Sequence, residues 1–273
     1  MIHRINNKFL TVKINDRGAE LASITSRDDN TEYLWQDDAG LYPSRAEFLF
    51  PIIGFTKNNE VTFEGKTYKM PPHGFAKDTI FRVLSRSDDE ITFECVSNNE
   101  TFAVYPFKFS LAIAFRLLEK ELDISCKITN LDEKIMYFSF GHHPGFNCPI
   151  EKNLEISDYF LEFNKSENCK YRLFQKKELI CEENVFLENQ NIFKLSHEIL
   201  ANSPFVLEKL NSDTVIIKSG KGEKSVTVKM KGYPTCAIWS LKKPADFICV
   251  QPWHGTLSKI NSSNDLSKKD GMI

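Results

Sequence analysis

Strict alternation of apolar and polar side chains constrains this sequence more than any other feature. Apolar residues occupy every second position over 107–117, and after a polar break at 119–121 the pattern resumes over 122–128. A period of two matches a β-strand, because successive side chains of a strand point to opposite faces. The two segments therefore predict a long hairpin with one buried face.

Shorter segments repeat the pattern between turn residues. Alternation over 91–95 predicts a strand, and the segments 61–63 and 215–217 each precede a glycine-containing turn and a returning strand. Helical periodicity is weak, and only 196–200 predicts a single helical turn.

Many short strands separated by turns are typical of an antiparallel β-sandwich. We therefore predict one all-β domain over residues 1–273, because no linker, repeat or low-complexity block divides the chain. The polar stretch 162–183 is predicted to be a long excursion, and the tail from about Ser258 is predicted to be frayed.

Composition excludes several classes of function. The 35 basic and 37 acidic residues leave a net charge of −2, which gives no field to attract nucleic acid. No apolar run approaches the roughly 18 residues of a membrane helix, and the N-terminus turns polar too soon for a signal peptide. The seven cysteines are scattered and never in Cys-x-x-Cys spacing, which predicts reduced thiols in a cytoplasm.

Four of the six histidines lie in segments rich in Pro, Gly and aromatic residues, which are typical of rigid sheet rims that carry functional groups. They are His73, His142, His143 and His254. Adjacent His142 and His143 should point to opposite faces of a strand, so convergent metal ligation is disfavoured and no metal is predicted. Two roles remain open for these imidazoles: hydrogen bonding to backbone groups within the fold, and acid/base catalysis.

A series of short motifs between residues 10 and 255 resembles, in the same order along the chain, the motifs of a known protein family. They are Arg17-Gly18-Ala19-Glu20-Leu21-Ala22-Ser23-Ile24, Leu34-Trp35-Gln36, Leu49-Phe50-Pro51-Ile52-Ile53-Gly54, His73-Gly74-Phe75-Ala76, Tyr105-Pro106-Phe107, Gly141-His142-His143-Pro144-Gly145-Phe146-Asn147, Ile238-Trp239-Ser240 and Gln251-Pro252-Trp253-His254-Gly255. The chain resembles the aldose 1-epimerases, or galactose mutarotase-like proteins, and most closely their LacX-like bacterial branch.

The resemblance implies a supersandwich of large antiparallel sheets and the interconversion of α and β anomers of a free sugar or sugar phosphate. A base takes the proton of the anomeric hydroxyl while an acid protonates the ring oxygen, and the two groups must lie within hydrogen-bond reach of the ring. It implies no cofactor. His143 matches the general acid and His73 the second histidine, while Gln251 stands at the position of the base.

The resemblance also implies a substrate-binding set, which comprises Arg45, His142, Asn147, Trp253 and Lys77. Trp35 is a second candidate for an aromatic face, although core packing explains Trp35 and Trp253 equally well. Arg45, Lys57 and Lys77 are available for a phosphate, although the sequence does not show that they converge.

The sequence departs from the family pattern at Gln251, where a glutamate is expected, and at Lys77, where arginine is usual. An alignment of Ser203 with a family aspartate is a third, looser departure. A carboxamide cannot accept a proton at neutral pH, and loss of a positioned base costs about 10²–10⁴-fold in rate. Two hypotheses follow. In the first, a group such as Asp246 or a bound water replaces the base, or slower turnover suffices; in the second, the protein is a non-catalytic carbohydrate-binding protein. His254 is the only titratable side chain close in sequence to Gln251, and we expect slow or absent mutarotation with sugar binding retained.

Overall fold

The computed structural model describes residues 1–37 and 40–273. The strands in this part of the chain are β1 (Ile2–Asn6), β2 (Leu10–Asn15), β3 (Leu21–Ser26), β4 (Ala46–Leu49), β5 (Glu60–Phe63), β6 (Lys66–Lys69), β7 (Arg82–Arg86), β8 (Glu90–Val96), β9 (Phe109–Leu118), β10 (Glu121–Asn130), β11 (Phe140–Asn147), β12 (Tyr159–Gln175), β13 (Glu178–Lys194), β14 (Phe205–Glu208), β15 (Thr214–Ser219), β16 (Ser225–Lys229), β17 (Thr235–Trp239) and β18 (Phe247–His254). Two short helices, α1 (Asn99–Val104) and α2 (His197–Leu200), accompany three 3₁₀ turns, Lys57–Asn59, Ala76–Asp78 and Ile156–Asp158.

Antiparallel sheets make up the fold, as the alternation predicts. A five-stranded sheet in the order β14-β17-β18-β11-β4 is accompanied by two four-stranded sheets, β10-β9-β8-β7 and β13-β12-β15-β16, and by two smaller ones. The predicted hairpin is β9–β10, in which Leu118 pairs with Glu121. The other predicted hairpins, β5–β6 and β15–β16, are also present, and α2 supplies the predicted helical turn with Ser196 as its N-cap. The all-β prediction is confirmed.

The main hydrophobic core lies between the sheets and is rich in phenylalanine. The inward residues of β9 are fully buried because alternation places every second side chain on the inner face. Phe50 illustrates the density of this core, since its ring lies 5.1 Å from that of Phe109 and 5.8 Å from that of Tyr105. Such aromatic pairs add to the free energy gained by burying apolar area.

The structure gives two polar segments a definite place. The stretch 162–183, predicted to be a long excursion, lies mostly in the 17-residue strands β12 and β13, which pair as one long hairpin. The prediction of a frayed tail beyond Ser258 is wrong, because Leu266 is fully buried and its N–H donates to the carbonyl of Thr62 at 2.9 Å. Nonlocal backbone hydrogen bonds fix this tail, and its local composition does not reveal them.

Candidate functional site

A row of polar side chains crosses three neighbouring strands of the five-stranded sheet. Glu47 of β4 lies directly opposite His143 of β11. The β11–β18 register, fixed by the pairs Gly141–Trp253 and Gly145–Cys249, places Gln251 opposite His143 on its other side. Side chains that face each other across a ladder lie on the same face of the sheet, about 4.5–5.5 Å apart at Cβ. We call the face that carries Glu47, His143 and Gln251 the site face.

His143 is held among aromatic rings on the site face. Its ring centroid lies 5.4 Å from that of Trp239, 6.2 Å from that of Tyr42 and 5.9 Å from that of His73. The residue is 8% exposed, and its burial lowers the pKa of the imidazole to about 4. His143 is therefore neutral at neutral pH unless a nearby anion or a ligand stabilises its charged form.

His73 reaches the site from the loop after β6. Its backbone is left-handed (φ 63°), and so is that of Gly74 (φ 76°), where a Cβ would lie 2.1 Å from the carbonyl oxygen of Phe50. The N–H of Gly54 donates to Nδ1 of His73 at 3.1 Å, which leaves Nε2 as the protonated nitrogen of the neutral ring. Burial, with smaller contributions from His143 and Lys77, lowers the pKa of His73 to about 3.

Several buried polar atoms near the row have no hydrogen-bond partner within residues 1–37 and 40–273. They are Arg45 Nε, His143 Nδ1, Gln251 Oε1 and Trp253 Nε1. Gln251 is only 1% exposed, so its amide oxygen is cut off from bulk water. Buried polar atoms in native proteins nearly always find a partner, so these donors and acceptors are available to a ligand or to water.

Basic residues flank this row at its β4 end. Arg45 precedes Glu47 by two residues, and its carbonyl accepts a hydrogen bond from the N–H of Gly145 at 2.7 Å. Lys77 follows His73 in the 3₁₀ turn Ala76–Asp78, and its Nζ lies 3.0 Å from a carboxylate oxygen of Asp78. Lys77 lies close enough to His73 to help lower the pKa of that histidine.

Aromatic residues form one wall of the site. Tyr42 stacks on Phe247 with centroids 5.9 Å apart, and its ring lies 5.0 Å from that of Trp239. Trp35 lies behind them, with its ring 4.7 Å from that of Phe247 and its Nε1–H donating to the carbonyl of Tyr42 at 2.9 Å. Trp35 thus supports Tyr42, and Tyr42 and Trp239 are the rings that approach His143 directly.

Two predicted substrate-binding residues lie elsewhere or have other partners. His142, predicted to bind substrate, lies on the opposite face of the sheet from His143, where its ring stacks on Phe48 at 4.3 Å. There it lines a cavity of about 610 Å³ between the sheets, and burial lowers its pKa to about 3. Asn147 uses its side-chain amide to donate to the carbonyl of Glu32 at 2.9 Å, which ties the 32–34 segment to β11.

The structure also gives the positions of Trp253 and of the two residues suggested as replacements for the base, Asp246 and His254. Trp253 is on the site face but only 2% exposed, packed with Leu49 in a small hydrophobic cluster. Asp246 is 70% exposed and lies 4.0 Å from His197, away from the row. The ring of His254 lies 4.7 Å from that of Tyr233, on the opposite face of the sheet. Neither Asp246 nor His254 can therefore replace the base.

No group of three or more His, Cys, Asp or Glu side chains in the described ranges is arranged to hold a metal ion. Over the same ranges, no helix is long and apolar enough to span a membrane.

Comparison with known proteins places this chain in a family. The family model described as aldose 1-epimerase matches residues 1–268. The chain belongs to the aldose 1-epimerase family. It is 30% identical to the chromosomally encoded protein LacX of Lactococcus lactis subsp. lactis, over 98% of this chain and 93% of that protein.

Solved structures agree with this assignment. A galactose mutarotase related enzyme from Lactobacillus acidophilus superposes with a TM-score of 0.95 at 30% identity, covering 100% of this chain and 92% of that one. A galactose mutarotase-like protein from Lactobacillus casei gives 0.91 at 29% identity, covering 100% and 94%. The predicted LacX-like, galactose mutarotase-like fold is confirmed.

Sequence reasoning did not select Glu47, Tyr42 or Trp239 as site residues. The alternation around β4 contains a signal for Glu47, because a glutamate between buried Ala46 and Phe48 must point to the other face of the strand. That signal shows the direction of the side chain but not its neighbours.

Proposed function

We propose that this aldose 1-epimerase family member binds a free hexose or hexose phosphate at the site face and interconverts its α and β anomers. The observation that carries the proposal is the pair His143 and His73, whose rings lie 5.9 Å apart among unpartnered buried polar atoms. Imidazoles in this arrangement can hydrogen-bond a sugar ring oxygen and pass it a proton.

In the proposed reaction, His143 protonates the ring oxygen as the C1–O5 bond breaks. The anomeric hydroxyl passes its proton to a neighbouring base or a bound water, C1 becomes an aldehyde carbon, and rotation about C1–C2 exposes its other face. Ring closure then reverses both proton transfers. His73 donates its Nε2–H near the ring oxygen, while Gln251 hydrogen-bonds the anomeric hydroxyl without taking its proton.

The contacts proposed for the rest of the sugar follow from the chemistry of the wall. Tyr42 and Trp239 offer aromatic faces to the apolar face of the ring. Arg45 and Lys77 offer cationic donors to hydroxyls or to a phosphate. The proposal places the protein in the cytoplasm, where cysteines unpaired like Cys95 and Cys236 stay reduced.

A second candidate function is carbohydrate binding without catalysis. The observation that favours it is Gln251, since a carboxamide at the position of the expected base keeps hydrogen bonding and loses proton transfer.

Anomer exchange measured by NMR magnetisation transfer separates the two functions. Glucose, galactose and their 6-phosphates are each tested with native protein, His143→Ala and the matched control His197→Ala, whose histidine lies outside the row. The proposal predicts exchange above the buffer rate for native protein and the control, and its loss in His143→Ala. Native protein that binds sugar by calorimetry but gives only the buffer rate would establish the binding function instead.

A further inference from the structure

Glu47 is a carboxyl group that the sequence motifs do not assign to the site. It lies directly opposite His143 on the β4–β11 ladder, so both side chains project from the site face. O1 and O5 of a pyranose are bonded to the same carbon, and a proton-transfer group for each must therefore come from neighbouring positions. Glu47 and His143 are such neighbours.

The hydrogen bonding of Glu47 leaves it able to act on a ligand. Its Oε1 accepts from the hydroxyl of Ser44 at 2.5 Å. In the part of the chain that the structure describes, no Lys, Arg or His nitrogen lies within 4.0 Å of its carboxylate. Burial raises the pKa of Glu47, while the Ser44 hydroxyl opposes that rise, so the carboxyl group titrates closer to neutrality than an exposed one.

Charged and titratable groups surround Glu47 from several elements. Lys77 of the 3₁₀ turn lowers the pKa of Glu47, whereas Glu20 and Asp78 raise it. Tyr42 and Cys249 also face it, and the pKa of each is raised by burial, with a smaller contribution from Glu47 in both cases. His143 of β11 completes the set, across the ladder from Glu47.

We propose that Glu47 is the second proton-transfer group of this site and accepts the anomeric hydroxyl proton that Gln251 cannot accept. This inference rests on the proposed epimerase function. As the C1–O5 bond breaks, the anomeric O1–H proton passes to a carboxylate oxygen of Glu47 and the O1 electrons form the aldehyde double bond. The C1–O5 electron pair stays on O5, which takes a proton from His143. Closure on the other face returns both protons, so no oxidant or cofactor is consumed.

The active state holds one proton on the Glu47–His143 pair. Two interacting groups titrate with macroscopic pKa values that belong to the pair. Activity is therefore lost at low pH, where both groups are protonated, and at high pH, where neither is. Burial lowers the pKa of His143, and we expect the anionic carboxylate to favour the charged imidazole across the ladder in the active state.

The test uses isosteric variants in the full chain. Glu47→Gln should lower kcat for anomer exchange about 10²–10⁴-fold with little change in KM, because it removes the proton-transfer group and keeps the shape. The double variant Glu47→Gln, Gln251→Glu should recover part of this loss by placing a carboxylate on the other side of His143. Glu208→Gln, an exposed position on β14 at the far edge of the same sheet, should retain native activity.

A second variant gives a readout that a purely structural role would not change. Ser44→Ala removes the hydrogen bond to the ionised carboxylate, which raises the pKa of Glu47 and should move the pH profile of kcat/KM to higher pH. This measurement needs only native and Ser44→Ala protein, so it decides the question even where Glu47→Gln does not fold.

The outcomes distinguish this inference from the proposed function. Native exchange that persists in Glu47→Gln, or a pH profile that Ser44→Ala does not move, overturns the role of Glu47 and leaves the epimerase function standing. Native protein that binds sugar but never accelerates exchange overturns both.

Discussion

Acid should destabilise this protein through His142, whose surroundings favour the neutral ring. His142 stacks on Phe48 and is 8% exposed, and its Nε2 has no hydrogen-bond partner in the described chain. Protonation would place a charge and an unpartnered N–H at a buried position, which is why burial lowers the pKa of His142 to about 3.

The size of this acid destabilisation follows from the thermodynamic linkage between proton binding and unfolding. An unfolded histidine titrates near pH 6.5, so below that pH the unfolded state binds a proton that folded His142 does not. Its contribution is therefore fully present above about pH 6.5 and is lost as the pH falls toward about 3. At about 1.4 kcal/mol per pKa unit, lowering the pH from 7 to 5 costs about 2 kcal/mol from His142 alone. His73 and His143 act in the same direction.

Urea denaturation at pH 7 and pH 5 measures this effect. His142→Phe retains an aromatic ring on Phe48 and cannot titrate, so its free energy of unfolding should fall by about 2 kcal/mol less than that of the native protein between the two pH values. Phe48→Leu is the control, because it disturbs the same stack without removing a titrating group and should cost the same at both pH values. Equal pH dependence in native protein and His142→Phe would refute the reasoning.

Two further predictions concern the backbone of the His73 loop and the C-terminal tail. Gly74→Ala should cost about 4 kcal/mol or more in urea denaturation, because its Cβ would lie 2.1 Å from the Phe50 carbonyl oxygen. Gly65→Ala shares the positive φ but meets nothing within 4 Å, so a loss much beyond about 1–2 kcal/mol there would contradict this account. Leu266→Ala should cost about 2–5 kcal/mol because the residue is fully buried, whereas exposed Ile260→Ala should change stability by about 0.5 kcal/mol or less. Equal effects at the two tail positions would mean that the tail does not pack as described.

Local sequence determined most of the strands and the direction of their side chains. Alternation is imposed by the geometry of a single strand, so the hairpin β9–β10 and the opposite orientations of His142 and His143 were predictable without knowing any neighbour. The order of short motifs was likewise sufficient to recognise the aldose 1-epimerase family. The structure brings the rings of His73 and His143 within 5.9 Å of each other, and their catalytic roles stay predictions.

Tertiary structure alone decided which strands became neighbours. β4, β11 and β18 lie far apart in the chain, and only their order in the sheet brings Glu47, His143 and Gln251 into one row. The same holds for the tail, whose polar composition predicts fraying although nonlocal hydrogen bonds and the burial of Leu266 hold it in place. A local pattern sets the face on which a side chain lies, whereas the partner across the ladder depends on how distant segments pair to bury their apolar faces.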